Sequence, residues 1–295
     1  MVKMLVAQLV INGLAAGAIY AFVALGFALI YNATGVLHLA HGAVFALGGY
    51  AFYVAVVVLK IPIPLSCLLA VCASAIFGIA IEALIYRPLR ARKTEHASSM
   101  IASIGVLTLS QSVFGIVFGT DNLSVQTEPL KTISFFGLYL SYVHILVAVL
   151  AIIIFSAIQI FLARSQFGRA IRAFSDNPKL SRVFGINSDV VGALVYGIGS
   201  GLAAVAACLI SFDSGVRPDV GFSIMFTALV AVIVGGAGYL PGAAAGGILV
   251  GLLQSLSLWP FSARWQEVAV FAVLIAFLFI RPQGLFGYAM MTRRA

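Results

Sequence analysis

The sequence predicts an all-α polytopic membrane protein of about 8–10 transmembrane helices, some of them broken or re-entrant. Three observations predict it. Of 295 residues, 62% are hydrophobic and only 9% charged, against roughly a quarter charged in an ordinary soluble domain. The mean hydropathy is +1.13, too apolar for a soluble surface and equally so for a disordered chain. The apolar residues also fall in runs of about 20, the length that spans a bilayer as helix.

Taken in order, the runs cover residues 8–31, 41–59, 64–86, 98–119, 142–163, 189–212, 222–238, 242–259 and 266–281. The first is longer than a signal-peptide core and is expected to remain as a span. Polar or helix-breaking residues separate the others: Lys60 to Pro64, Arg87 to Ala97, Thr120 to Ser141, Arg164 to Ser188, Asp213 to Gly221, Tyr239 to Pro241 and Pro260 to Arg264. No break is large enough for a soluble domain, so residues 1–295 read as one transmembrane domain. The polar interruption from Asn32 to Gly42 reads as a broken or re-entrant helix.

The net charge of +8 does not point to nucleic acid, because basic residues in a membrane chain record orientation. Arg87, Arg90, Arg92 and Lys93 follow the third run; Arg164, Arg169, Arg172, Lys179 and Arg182 follow the fifth; Arg281, Arg293 and Arg294 close the chain. These are 12 of the 17 basic residues. The remainder are Lys3 and one each in the alternate breaks, at Lys60, Lys131, Arg217 and Arg264. The three rich segments, and with them the C-terminus, are therefore expected in the cytoplasm. For the segment from Arg164 to Asp189, a solvated basic loop held by anionic lipid is the alternative to a docking role.

Glycines recur four apart at 13/17, 115/119, 197/201, 238/242, 242/246 and 247/251, a spacing that lets helix backbones approach closely where lipid gives no hydrophobic drive. The stretch from Gly235 to Gly251 is expected to interrupt its helix, and Gly-interrupted segments point to substrate sites in transporters. Gly13–Ala18 (GLAAGA) returns as GLAAVA at Gly201–Ala206, and Gly48-Gly49-Tyr50 sits at nearly the offset of Gly235–Tyr239. Two related halves are one reading of this repeat; coincidence in Ala/Gly-rich helices is the other.

No G-x-x-x-x-G-K-[ST] occurs, since none of the five lysines follows a glycine, so any ATPase must be another chain. H-E-x-x-H and G-x-S-x-G are absent as well, and no nucleophile–base constellation marks an enzyme. Cys67, Cys72 and Cys208 lack metal or disulfide spacing and read as small buried hydrophobes. His38 and His41, three apart, have no third ligand of fixed spacing and form no metal site. An intramembrane titratable residue is functional by default, so a pathway-lining or hydrogen-bonding role for one of them is the better reading. Glu82 reads as a partner of Arg87 or a snorkelling residue. A secondary transporter or channel is the rival class, but acidic residues suited to ion coupling are nearly absent from span centres.

The basic stretch Arg164–Asp189 carries most information. Ala170, Ile171, Phe174, Val183 and Phe184 give apolar positions, Arg169, Arg172, Lys179 and Arg182 a charged face, and Asp176-Asn177-Pro178 a helix boundary. The spacing predicts two short amphipathic helices fit to dock in a groove on a cytoplasmic partner.

At these residues a family resemblance emerges. Gly168-Arg169-Ala170-Ile171-Arg172-Ala173, followed by Asp176-Asn177-Pro178 and Gly185-Ile186-Asn187, resembles the coupling loop of permease subunits of branched-chain amino-acid ABC importers. Gly35–Gly42 with Gly48-Gly49-Tyr50 resembles the N-terminal motif of that family, Val234–Gly242 its glycine motif, and Arg281–Gly287 its ending. Together they cover nearly the whole chain in order. This chain departs from the family at His38, where Asn is common, and at Ala43, where Glu is frequent.

The resemblance implies a bacterial inner-membrane protein working with a second permease in a heterodimer, two cytoplasmic ATP-binding subunits and a periplasmic binding protein. ATP and Mg would sit on the partners, with no cofactor on this chain. Coupling would run through about 164–188, on Gly168, Arg169, Ala170, Arg172, Ala173, Asp176, Asn177, Pro178 and Gly185. Polar groups available to the solute pathway are Asn12, Asn32, His38, His41 and Gln254, with Gly42, Gly235, Gly236 and Gly238 at the broken segments. The family carries branched-chain amino acids, and other members take urea, short amides or small organic acids.

Overall fold

A computed structural model describes residues 2–92, 96–126, 132–135, 137–259 and 265–286. Lys93, Lys131, Arg264, Gly287, Arg293 and Arg294, used above for charge placement and the terminal motif, lie outside the described residues, as does the break from Pro260 to Arg264.

Each of the nine apolar runs holds a helix. In chain order the helices are α1 (Val2–Thr34), α2 (His41–Tyr53), α3 (Ile63–Ile81), α4 (Arg87–Ala91), α5 (His96–Phe118), α6 (Tyr142–Arg164), α7 (Gln166–Asp176), α8 (Pro178–Val183), α9 (Ser188–Asp213), α10 (Val220–Gly235), α11 (Leu240–Ser257) and α12 (Gln266–Ile280). Single π turns, Val54–Val58 and Glu82–Tyr86, extend α2 and join α3 to α4. The described strands are β1 (Thr132–Phe135) and β2 (Leu138–Ser141), an antiparallel hairpin. Among the described residues seven helical stretches are long and apolar enough to cross a membrane, and α10 and α12 are shorter apolar helices.

The helix ends arise from breakers and caps. Pro64 in the first turn of α3 fits where no N–H partner is needed. Asn177 and Asn187 cap α8 and α9. The third run continues past residue 86, because the π turn leads straight into α4 and keeps Arg87 and Arg90 helical. Large apolar side chains lie exposed along several helices, Ile76 on α3, Ile101 and Ile116 on α5, and Ile152 on α6 among them. Helices apolar on all sides suit a lipid solvent. Cys208 is buried and Cys67 half-buried, but Cys72 is exposed on α3; lipid accepts a thiol as readily as a packed core does, so burial was not required of it.

The chain forms two compact units that interleave along the sequence. One comprises Met1–Ala28, Gln126–Ile152 and Phe226–Ala295. In it α1 crosses α11 glycine on glycine: a Cβ on Gly13 or Gly17 would meet the backbone of Leu252 or Ile248, and one on Gly251 the backbone of Gly17. Ser255 Oγ donates to the Leu9 carbonyl at 2.6 Å. Gly246 likewise meets the Ala231 carbonyl of α10. Gln8 brackets Tyr139 of the hairpin, donating to its carbonyl at 2.9 Å and accepting from its N–H at 2.8 Å.

The other unit comprises Leu29–Val125 and Ile153–Met225. Its centre is α2, α3 and α9 packed together. Gly48 admits Ala204, and Gly78 admits Ser200; Ser74 Oγ donates to the Val44 carbonyl at 3.3 Å. Gly42 and Gly221 face one another backbone to backbone. The 115/119 pair differs from the expected packing role. Nothing approaches Gly115, and Gly119 instead ends α5 in the left-handed conformation at φ 82°.

Candidate functional site

Most of the residues singled out from the sequence lie in two regions, the basic loop between α6 and α9 and the breaks in the helices, while Asn12 and Asn32 lie within α1 and Gln254 within α11.

In the loop, Ser165 Oγ accepts from the Gly168 N–H at 2.8 Å and starts α7. Gly168 is buried where any side chain would strike the Phe161 carbonyl and Leu162 of α6. Ile171 and Phe174 point inward and are buried; Arg169, Arg172, Ala173 and Asp176 are exposed, and Ala170 is half-buried. Arg169 and Arg172 donate to the carbonyls of Arg164 and Ala163 at 3.2 and 3.4 Å, among the last carbonyls of α6; cations suit that end of a helix. Asn177 Oδ1 then accepts from the N–H groups of Lys179 and Leu180 at 3.1 and 3.0 Å, with Pro178 in the first turn of α8. Gly185, at φ 81°, ends α8, and its N–H reaches the Arg182 carbonyl at 3.0 Å. The apolar positions divide: Ile171 and Phe174 anchor α7, while Leu180, Val183 and Phe184 stand exposed at the end of α8, the last two by 81% and 77%. This patch lies outside every membrane-length helix among the described residues.

The first break is shorter than expected. α1 runs through Asn32, which is half-buried, to Thr34; only Gly35–Ala40 is non-helical, and His41 and Gly42 begin α2. Gly35 has φ 70°, and Ser103 Oγ on α5 accepts from the Ala40 N–H at 2.7 Å, satisfying one backbone group of the break. His38 and His41 are both fully buried. His38 Nδ1 is 2.8 Å from Tyr86 Oη, and its ring stands edge-on to His41, Tyr86 and Tyr196 at centroid distances of 5.6, 5.5 and 5.0 Å. The other imidazole nitrogen, Nε2, has no hydrogen-bond partner. Among the described residues no group of three or more His, Cys, Asp or Glu could hold a metal.

The second break is also narrower. α10 ends at Gly235 and α11 starts at Leu240, so Gly242 to Gly251 is helix rather than interruption; those glycines are spent on close helix packing. Gly236 and Gly238 have φ 106° and 144°, backbone that glycine alone adopts without strain. Leu285 and Phe286 N–H donate to the Val234 and Gly235 carbonyls at 2.8 and 3.3 Å, so the terminal motif satisfies the open end of α10. Asn12, by contrast, is exposed on α1 and accepts from Gln8 at 3.0 Å, within its own helix.

The sequence leaves Glu82 as a partner of Arg87 or a snorkelling residue. Glu82 is instead paired with Arg90, which donates to both its oxygens, while Arg87 reaches Asp189 in the first turn of α9 at 2.6 Å. Glu82 is 3% exposed, deep enough that a bidentate guanidinium partner is needed. Tyr86 and Tyr196 were missed altogether, because two buried tyrosines 110 positions apart leave no local pattern.

Membrane-length helices broken at two places and joined by a capped basic loop define a polytopic membrane protein. The chain belongs to the family described as branched-chain amino acid transport system / permease component, which it matches over residues 9–278. Among its relatives, the high-affinity branched-chain amino acid transport system permease protein BraD of Pseudomonas aeruginosa is 33% identical over 296 residues, 95% of each chain. The corresponding protein LivH of Salmonella typhimurium is 30% identical over 95% of each chain. A probable branched-chain amino acid transport permease protein of Methanocaldococcus jannaschii is 28% identical, covering 90% of this chain and 87% of its own. The family expected from the motifs is the family found.

Proposed function

We propose that this permease is the transmembrane domain of a binding-protein-dependent ABC importer for branched-chain amino acids in the bacterial inner membrane, with its C-terminus cytoplasmic. It works with a second, non-identical permease, two cytoplasmic subunits that bind ATP and Mg and carry the hydrolysis, and a periplasmic binding protein that delivers the solute. The observation that carries the docking half of this reading is the exposed Leu180, Val183 and Phe184 on a capped loop helix. An apolar helix end with a basic rim is what a groove on an ATPase would bury.

ATP-driven closure of the two ATPases would move the 164–188 loop and shift the helices between inward- and outward-open states. Asn12, Asn32, His38, His41, Gly42, Gly235, Gly236 and Gly238 are the polar or backbone groups offered to the solute. His38 supports its place in that set with a buried, unpartnered nitrogen, since such a group costs about 1–3 kcal/mol unless another state satisfies it. The names of the relatives favour branched-chain amino acids over urea, short amides or small organic acids.

The test is uptake of labelled leucine by cells expressing the permease with its partner subunits, competed by isoleucine, valine, urea and acetamide. Phe184→Asp and Val183→Asp are expected to abolish uptake at unchanged membrane levels, and only the branched-chain amino acids to compete. Full uptake by both variants would contradict the docking site; competition by urea or acetamide alone would contradict the substrate.

A further inference from the structure

The loop ends at Asn187, and α9 starts at once with Ser188. The base of α9 is tied to the region around the Glu82–Tyr86 π turn at two points. Asp189 pairs with Arg87 just beyond the turn, and Gly192 leaves room for Glu82, whose carboxylate a Cβ would strike. Glu82 opens the turn and is clamped by Arg90. Tyr86 closes it, fully buried, with its ring 5.3 Å from that of Tyr196 on α9 and its hydroxyl on His38. A π turn holds one residue more than an α turn and is frequent at functional sites. Regularising this one would rotate α4 by about 100° about the helix axis, since each residue of an α-helix takes that angle. The tyrosine and the two ion pairs could not all keep their present partners. A regularised turn would therefore break at least one of these contacts between the base of α9 and the break.

We infer that Tyr86 is a positioning residue: through its hydroxyl on His38 it sets the non-helical segment Gly35–Ala40 according to the position of the base of α9. Glu82, Arg90, Arg87 and Asp189 hold the turn that aims it. This rests on the reading of the 164–188 loop as the place where force enters, and it adds the residues by which that force reaches the break.

The test uses the complete complex in proteoliposomes with its binding protein, measuring both leucine transported and ATP hydrolysed. Tyr86→Phe keeps the ring and removes only the hydroxyl. Complex assembly is expected to persist, while leucine moved per ATP falls roughly threefold to tenfold, the range of one net hydrogen bond. His38→Phe should show a comparable deficit, and the double variant no more than either alone, because contacting residues that act as one are not additive. An unchanged leucine-to-ATP ratio in Tyr86→Phe, or a double variant whose losses multiply, overturns the inference. If Tyr86→Phe does not fold, Asp189→Asn, at a half-exposed carboxylate, carries the test, and a wild-type ratio there overturns it equally. Failure of the wild-type complex to couple ATP to leucine would overturn the underlying reading instead.

Discussion

Gly17 of α1 and Gly251 of α11 meet backbone to backbone, so closely that a Cβ on Gly251 would collide with the amide nitrogen and Cα of Gly17. Gly251→Ala therefore forces the helices apart, and overpacking of this kind costs about 1–3 kcal/mol. Thermal melting of the purified protein in detergent should show the loss. Gly115→Ala, where nothing lies within reach, should melt as wild type or slightly higher, since alanine is the better helix former by about 1 kcal/mol.

Gly185 faces open space, so size is not its constraint; its φ of 81° is. Gly185→Ala is expected to cost about 1–2 kcal/mol locally, to reorient the chain after α8 and to abolish uptake while the protein remains inserted. Gly185→Asn, which tolerates the left-handed region better, should retain more uptake than the alanine variant. Equal and full uptake in both would remove this turn from the coupling.

Asn177 caps α8 with two hydrogen bonds. Its replacement by Ala should cost about 1 kcal/mol and, in a helix of 6 residues, loosen the presentation of Leu180 and Val183. The expected result is weaker co-purification of the ATPase at higher salt or detergent, read by quantitative blotting, with unchanged insertion.

Replacing His38 by Asn is expected to alter transport rate or solute range without unfolding the bundle, because Asn keeps a donor and an acceptor while giving up the ring contacts with Tyr86 and Tyr196. Kinetics identical to wild type for each branched-chain amino acid would take His38 out of the pathway.

Among the described residues Lys60 is alone among non-glycines in taking a left-handed conformation, at φ 53°, just after the Val54–Val58 π turn. Lys60→Gly relieves that strain but adds chain entropy, so the melting temperature should hold or rise; Lys60→Val should lower stability by about 1 kcal/mol or more. A stable valine variant would show that the turn has another conformation.

The spans were legible because a bilayer calls for apolar runs of about 20 residues, and the boundary between the loop helices because Asp176-Asn177-Pro178 marks it; the caps Ser165 of α7 and Asn187 of α9 were not read. The breaks were legible in position but not in extent. Glycine at four-residue spacing serves both as interruption, at Gly238, and as close packing, at Gly246 and Gly251, and only three-dimensional neighbours decide which. Glu82 escaped a sequence rule because a π turn shifts the register on which helical pairing is counted. The buried set of His38, Tyr86 and Tyr196 escaped because contacts between distant segments have no period.

The central claim is tested most directly by purifying the tagged chain from its native membrane in mild detergent, identifying the proteins that accompany it by mass spectrometry and assaying ATPase activity on the same sample. Two P-loop subunits and a second permease, with ATP hydrolysis that Phe184→Asp abolishes from the preparation, is the predicted result. A chain that purifies alone, and transports leucine in liposomes without ATP, would contradict it.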